Sequence, residues 1–136
     1  MTCLFCAIAA GDQPAAIVHS GEHTVAFLDI RPVFKGHVLL VPRAHVETLP
    51  DLPATLVPPF FETGQALCRA VMAAMDAQGT FVAMNNVVSQ SVPHLHLHVV
   101  PRRRKDGLRG FFWPRTKYES GEEMAAVAAA ISERLC

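Results

Sequence analysis

The sequence predicts a single α+β domain over residues 1–136, a mainly antiparallel five-stranded sheet with two helices. Three observations carry this. Short apolar, β-branched runs follow one another at turn spacing through residues 17–42. A long stretch of helical periodicity follows, and two more strand-like runs come after it. Strands joined in order by short turns pair antiparallel, with helices inserted later in the chain.

Ile17-Val18 and Thr24 to Leu28 flank Ser20-Gly21-Glu22-His23, which predicts a hairpin. Ile30-Arg31-Pro32 breaks the pattern, and His37 to Val41 forms a third strand ended by Pro42. Pro58-Pro59 suits the opening of a helix, where a missing N–H costs nothing. From Phe60 to about Gln78 apolar residues recur at helical spacing, and Gly79 is placed as the C-cap. Thr80 to Met84 and His94 to Val100 are the remaining strands, the last ended by Pro101. Met124 to Leu135 is the second helix, opened by Ser120-Gly121-Glu122-Glu123 with acids in its first turn.

Lys+Arg and Asp+Glu number 12 each, so the formal net charge is zero. A general nucleic-acid or anionic-membrane binder needs a phosphate-neutralising excess, and composition argues against both. No stretch approaches the roughly 20 apolar residues of a membrane helix. The opening residues, apolar to Ala10, lack the basic flank of a secretory signal. Four scattered cysteines are too few for a disulfide scaffold, so a reducing cytoplasm is expected.

The most informative segment is Gln90-Ser91-Val92-Pro93-His94-Leu95-His96-Leu97-His98-Val99-Val100. On a strand, His94, His96 and His98 share one face, while Leu95, Leu97 and Val99 point into the core. Next neighbours on a face lie roughly 7 Å apart, which gathers three imidazoles around one small anion or metal. Two uses fit. A neutral imidazole is a nucleophile near neutral pH, and a doubly protonated neighbour clamps phosphate. Alternatively, all three ligate a metal. A merely solvated edge face would more naturally use Lys, Glu and Thr.

His-Leu-His-Leu-His-Val-Val resembles the defining motif of the histidine-triad family, alternating His with apolar residues. Cys3-Leu4-Phe5-Cys6-Ala7-Ile8, Phe27-Leu28-Asp29-Ile30-Arg31-Pro32, Gly36 to Pro42 and Gln90-Ser91-Val92 resemble further family segments in order. The resemblance covers about residues 3 to 101 and implies a homodimeric hydrolase of purine nucleotides. It makes His96 the nucleophile that forms a covalent nucleotidyl-imidazole, with His98 and Ser91 at the α-phosphate. His37 would support the triad from the neighbouring strand. Asp29 would bind the ribose hydroxyls, and Leu4, Phe5, Ile8, Phe27 and Ile30 would form the slot for the base. Asn85 and Gln90 would add nucleotide contacts. Transferase and phosphorylase branches carry Gln at the third triad position, so His98 favours a hydrolase. Phosphoramidates head the expected substrates. Dinucleoside polyphosphates, nucleotide binding with little turnover, and adenylated nucleic-acid ends are the competing readings.

Cys3 and Cys6 have the two-residue gap of a zinc knuckle, and buried thiols are the alternative. The resemblance supplies His45 and His94 as partners, a closed set that would hold structural zinc. The chain departs from the family at Asn85-Asn86-Val87-Val88-Ser89, where a glycine-rich loop is usual. Asn tolerates left-handed backbone, whereas Val87 and Val88 are expected to avoid it. Arg102-Arg103-Arg104-Lys105 and the aromatics through Trp113 read as a solvated loop with an aromatic cluster, or as a flap. As a flap, its cations would steer polyphosphates and Phe112 or Trp113 would stack on a base or a partner subunit.

Overall fold

A computed structural model describes residues 3–109 and 115–135. Phe112 and Trp113 of the expected flap lie outside these residues. The chain divides into two units, Met1–Asp106 and Gly107–Cys136.

The first unit contains α1 (Leu4–Ala10), β1 (Ile17–Ser20), β2 (Thr24–Leu28), β3 (Val38–Pro42), α2 (Val57–Ala74), β4 (Gly79–Ala83) and β5 (Leu97–Arg102). Its five strands form one sheet in the order β1-β2-β3-β5-β4, and every neighbouring pair is antiparallel. Alternation divides the strands between two cores. Ala26, Val38, Leu40, Leu97 and Val99 meet Phe60, Leu67 and Val71 of α2. Val25, Phe27, Leu39 and Val41 meet Phe5 and Ile8 of α1. Both faces of β2 and β3 are therefore covered, which is why these strands read as unbroken apolar runs.

Among the described residues, three α-helices form where two were expected. The additional one, α1, has seven residues, too few for its periodicity to stand out. Cys3 caps its start, with Sγ accepting the Cys6 N–H at 3.4 Å. Gly11 ends it at φ 83°, a left-handed turn that suits glycine.

Other boundaries move for identifiable reasons. Helix α2 ends at Ala74, four residues before the expected stop, and Asp76 takes the left-handed turn at φ 51°. Gly79 opens β4 instead of capping the helix. Pro101 does not end the last strand but pairs with Thr80 inside it. The β3 partnership stops at Val99, so the donor that Pro101 lacks costs no ladder bond there. At the other end, His94, Leu95 and His96 precede the paired strand, and only His98 of the triad lies within it.

The second unit holds α3 (Gly121–Arg134). Ser120 Oγ accepts the Glu123 N–H at 3.1 Å, and Glu123 Oε1 accepts the Glu119 N–H at 2.8 Å. This reciprocal pairing satisfies backbone donors at the helix start. Among the described residues, no helix is long and apolar enough to cross a membrane.

Candidate active site and metal centre

A cavity of about 690 Å³ lies on the α1 side of the sheet. Leu4, Phe5 and Ile8 reach it from α1, and Phe27, Asp29 and Ile30 from the end of β2 and the turn beyond. Ser91, His96 and His98 complete the expected set from the opposite side. Phe5 and Phe27 meet edge to face at 5.3 Å, making an apolar wall, while Ile30 stands 91% exposed at the mouth. Three other named residues do not line the cavity, His37 among them, which was expected to support the triad from the neighbouring strand. His37 sits behind His98, and the side chains of Asn85 and Gln90 are taken up within their own loop and its neighbour.

His96 has a defined tautomer. Its Nδ1 lies 2.7 Å from the His94 carbonyl, which can only accept, so Nδ1 carries the proton. In the neutral ring, Nε2 then keeps its lone pair. The ring is almost buried, with Phe5 edge-on at 5.1 Å, yet it lines the cavity. His96 and His98 have ring centres 5.1 Å apart, meeting edge to face. The division of faces survives: the three rings lie on the α1 side, and Leu95 joins the core beneath α2.

A chain of three groups fixes His98. The Val33 N–H donates to His37 Nδ1 at 3.1 Å, which places the His37 proton on Nε2. His37 Nε2 in turn donates to His98 Nδ1 at 2.9 Å, leaving the His98 proton on Nε2. Burial, aided by His96 and His37 and opposed by Asp29, pushes the His98 ring down to about 4. Burial also lowers His37, against the attraction of Asp29. With no anion bound, burial and the His37 bond favour the neutral ring, with its Nε2–H available as a donor. Asp29 Oδ1 accepts the Arg31 N–H at 2.8 Å, which sets the carboxylate at the cavity wall.

Cys3, Cys6, His45 and His94 bring one ligand atom each to within 4.8 Å of one another. The His94 ring is wholly buried, and its Nε2 donates to the Pro42 carbonyl at 2.8 Å. Nδ1 therefore turns its lone pair to Cys3 Sγ at 3.3 Å, Cys6 Sγ at 3.5 Å and His45 Nδ1 at 3.3 Å. Two thiols and two imidazoles with an ordered outer partner suit a closed tetrahedral zinc site. Burial and neighbouring Cys3 push the Cys6 thiol up, and burial lowers His94 despite its bond to Pro42. A second cluster, Asp29, His37 and His98, is equally compact. There the Val33 N–H occupies Nδ1 of His37, so the proton on Nε2 blocks the atom a metal would need.

The glycine-free loop overturns one expectation, for Val87 adopts φ 70° and Ser89 φ 63°. A β-branched residue in that region is strained. Hydrogen bonds from the Val87 N–H to Gln90 Oε1 and from the Gln90 N–H to the Val87 carbonyl hold it there. The basic run is largely engaged in structure. Arg102 pairs with Asp106 at 2.6 Å, and the Arg103 guanidinium donates to the Met75 carbonyl at the end of α2. None of Arg102 to Lys105 lines the cavity. Sequence reasoning missed the His94, Pro42 and Val33 backbone groups that set the three tautomers, and a backbone group carries no residue signature.

The family model for the HIT domain matches residues 10–105. The adenosine 5′-monophosphoramidase hnt1 of Schizosaccharomyces pombe is 31% identical, over 99% of this chain and 99% of its own. A crystal structure of a HIT family member from Bacillus subtilis superposes with a TM-score of 0.90 at 34% identity, covering 100% of this chain and 99% of that one. A Zn-bound histidine triad family protein from Mycobacterium smegmatis gives a TM-score of 0.75 at 38% identity, covering 99% of both. This chain belongs to the HIT domain family.

Proposed function

We propose that the protein hydrolyses purine nucleotides at the α-phosphorus, nucleoside phosphoramidates foremost, through a covalent bond to His96 Nε2. The observation that carries this is the His96 Nδ1 bond to the His94 carbonyl, which leaves Nε2 as the nucleophilic atom beside the cavity. The apolar wall of Phe5 and Phe27 suits a base, and Asp29 suits the two ribose hydroxyls. Nε2 would form the P–N bond as the P–amine bond breaks, and water would then cleave the nucleotidyl-histidine to release the nucleotide. His98 Nε2–H and Ser91 would donate to phosphoryl oxygens as charge develops. The amine leaves with a proton delivered at the phosphate, where His98 Nε2–H, backed by the His37 bond, and water would be the available donors.

Cys3, Cys6, His45 and His94 would hold a zinc ion whose contribution is structural, since four protein ligands leave no open position. The Zn-bound relative from Mycobacterium smegmatis supports the same reading. A second copy of the chain is the proposed partner, and Met124, Val127 and Ile131 give α3 an exposed apolar stripe. The yeast monophosphoramidase relative supports the substrate class. The strained loop at Val87 and Ser89 favours a second reading, nucleotide binding with little turnover.

Incubation with labelled adenosine phosphoramidate, quenched at alkaline pH, separates the two. The proposal predicts a transient adduct and AMP release in the native protein, with turnover lowered at least about 1000-fold in His96→Ala. Nucleotide affinity without adduct or AMP would establish the binding reading instead.

A further inference from the structure

We infer that Gln90 is a positioning residue that couples the metal centre to the loop entering the nucleotide cavity. The inference rests on the zinc and nucleotide sites proposed above. It starts from where Gln90 is found, since its side chain turns away from the cavity.

His45 lies in residues 43–48, a stretch without regular structure that follows β3. Three hydrogen bonds tie the residues just beyond it to the triad segment and its preceding loop. The Leu95 N–H donates to the Val46 carbonyl at 2.8 Å, and the Leu49 N–H donates to Asn86 Oδ1 at 2.8 Å. Between them, Gln90 Nε2 donates to the Glu47 carbonyl at 2.5 Å. The other end of the same amide, Oε1, accepts the Val87 N–H at 3.0 Å. One planar group thus joins the left-handed turn of the loop to the irregular segment that carries His45.

The next two residues, Ser91 and Val92, line the cavity. A cation that draws His45 toward Cys6 and His94 fixes residues 46–49, and Gln90 passes that constraint to the loop. The coupling works in both directions. A nucleotide that orders Ser91 must favour the metal-bound position of His45 by the same factor.

Gln90→Glu isolates the link. A carboxylate still accepts the Val87 N–H but presents lone pairs, not a donor, to the Glu47 carbonyl. Zinc affinity is measured by chelator competition with and without AMP, and AMP affinity with and without zinc. Native protein should show one shared factor, on the order of 5- to 10-fold, in both measurements. In Gln90→Glu that factor should fall to less than half of its wild-type logarithm, the Leu95–Val46 and Leu49–Asn86 bonds remaining, with the thermal midpoint confirming a folded protein. Gln90→Met, which removes both bonds without adding charge, should show the same collapse.

A wild-type factor near one, or a factor in both variants retaining more than half of the wild-type logarithm, overturns the coupling. Failure of native protein to bind one zinc per chain, or to bind AMP, would overturn the site readings beneath it. The two failures are thereby distinguishable.

Discussion

At the scale of single residues, each histidine acquires its role from the nitrogen that faces away from the chemistry. His96 gives Nδ1 to the His94 carbonyl, His94 gives Nε2 to the Pro42 carbonyl, and His98 accepts at Nδ1 from His37. In the proposed function the same side chain thus serves as nucleophile, ligand and donor within five residues. Keeping His98 and His37 neutral has a thermodynamic consequence. As pH falls below about 6.5, the unfolded chain takes up protons that these buried rings refuse, so acid favours unfolding. His98 contributes at most about 3 kcal/mol, complete above pH 6.5 and lost as pH falls toward about 4. Urea midpoints at pH 7 and pH 4.5 should show native protein losing more stability on acidification than His98→Gln. Equal losses would contradict the assignment. The spacing of His94, His96 and His98 was legible in the sequence, whereas their tautomers depend on backbone partners supplied by distant chain.

At the scale of elements, α1 does two tasks with seven residues. It presents Phe5 and Ile8 to the cavity while Cys6, with the capping Cys3, belongs to the cluster proposed to hold zinc. So short a helix is marginal alone and depends on its cap and its packing. Zinc removal should therefore fray α1 and lower the thermal midpoint by on the order of 10 °C, and Cys3→Ser should reproduce both effects. Circular dichroism melts with and without chelator test this, and coincident curves would rule out a structural metal. The Cys3–Cys6 spacing was visible at the outset, but α1 itself was not, because seven largely apolar residues show no clear face. The loop at Val87 was misjudged for a related reason. Local preference forbids its φ of 70°, and contacts to Gln90 impose it.

At the scale of the molecule, the sheet acts as a partition. One face meets α2 in a continuous apolar core, and the other carries α1, the cavity and the Cys3, Cys6, His45 and His94 cluster. The α+β class and all five strands were readable from apolar runs and turns, since these signals are local. Pairing β5 between β3 and β4 is not local, and it brings His98 against His37 from 61 positions away. For Asn85 and Gln90 sequence carries no direction, and their side chains bond to the Ser89, Val87 and Glu47 backbone.

The central claim is that His96 Nε2 bonds to phosphorus because the His94 carbonyl holds the other ring nitrogen. Trapping the intermediate with adenosine phosphoramidate and assigning the attached nitrogen by ¹⁵N–³¹P NMR tests it most directly. The account predicts a P–N bond at Nε2 of His96, with Nδ1 still protonated. Attachment at Nδ1, or at any other residue, would contradict it.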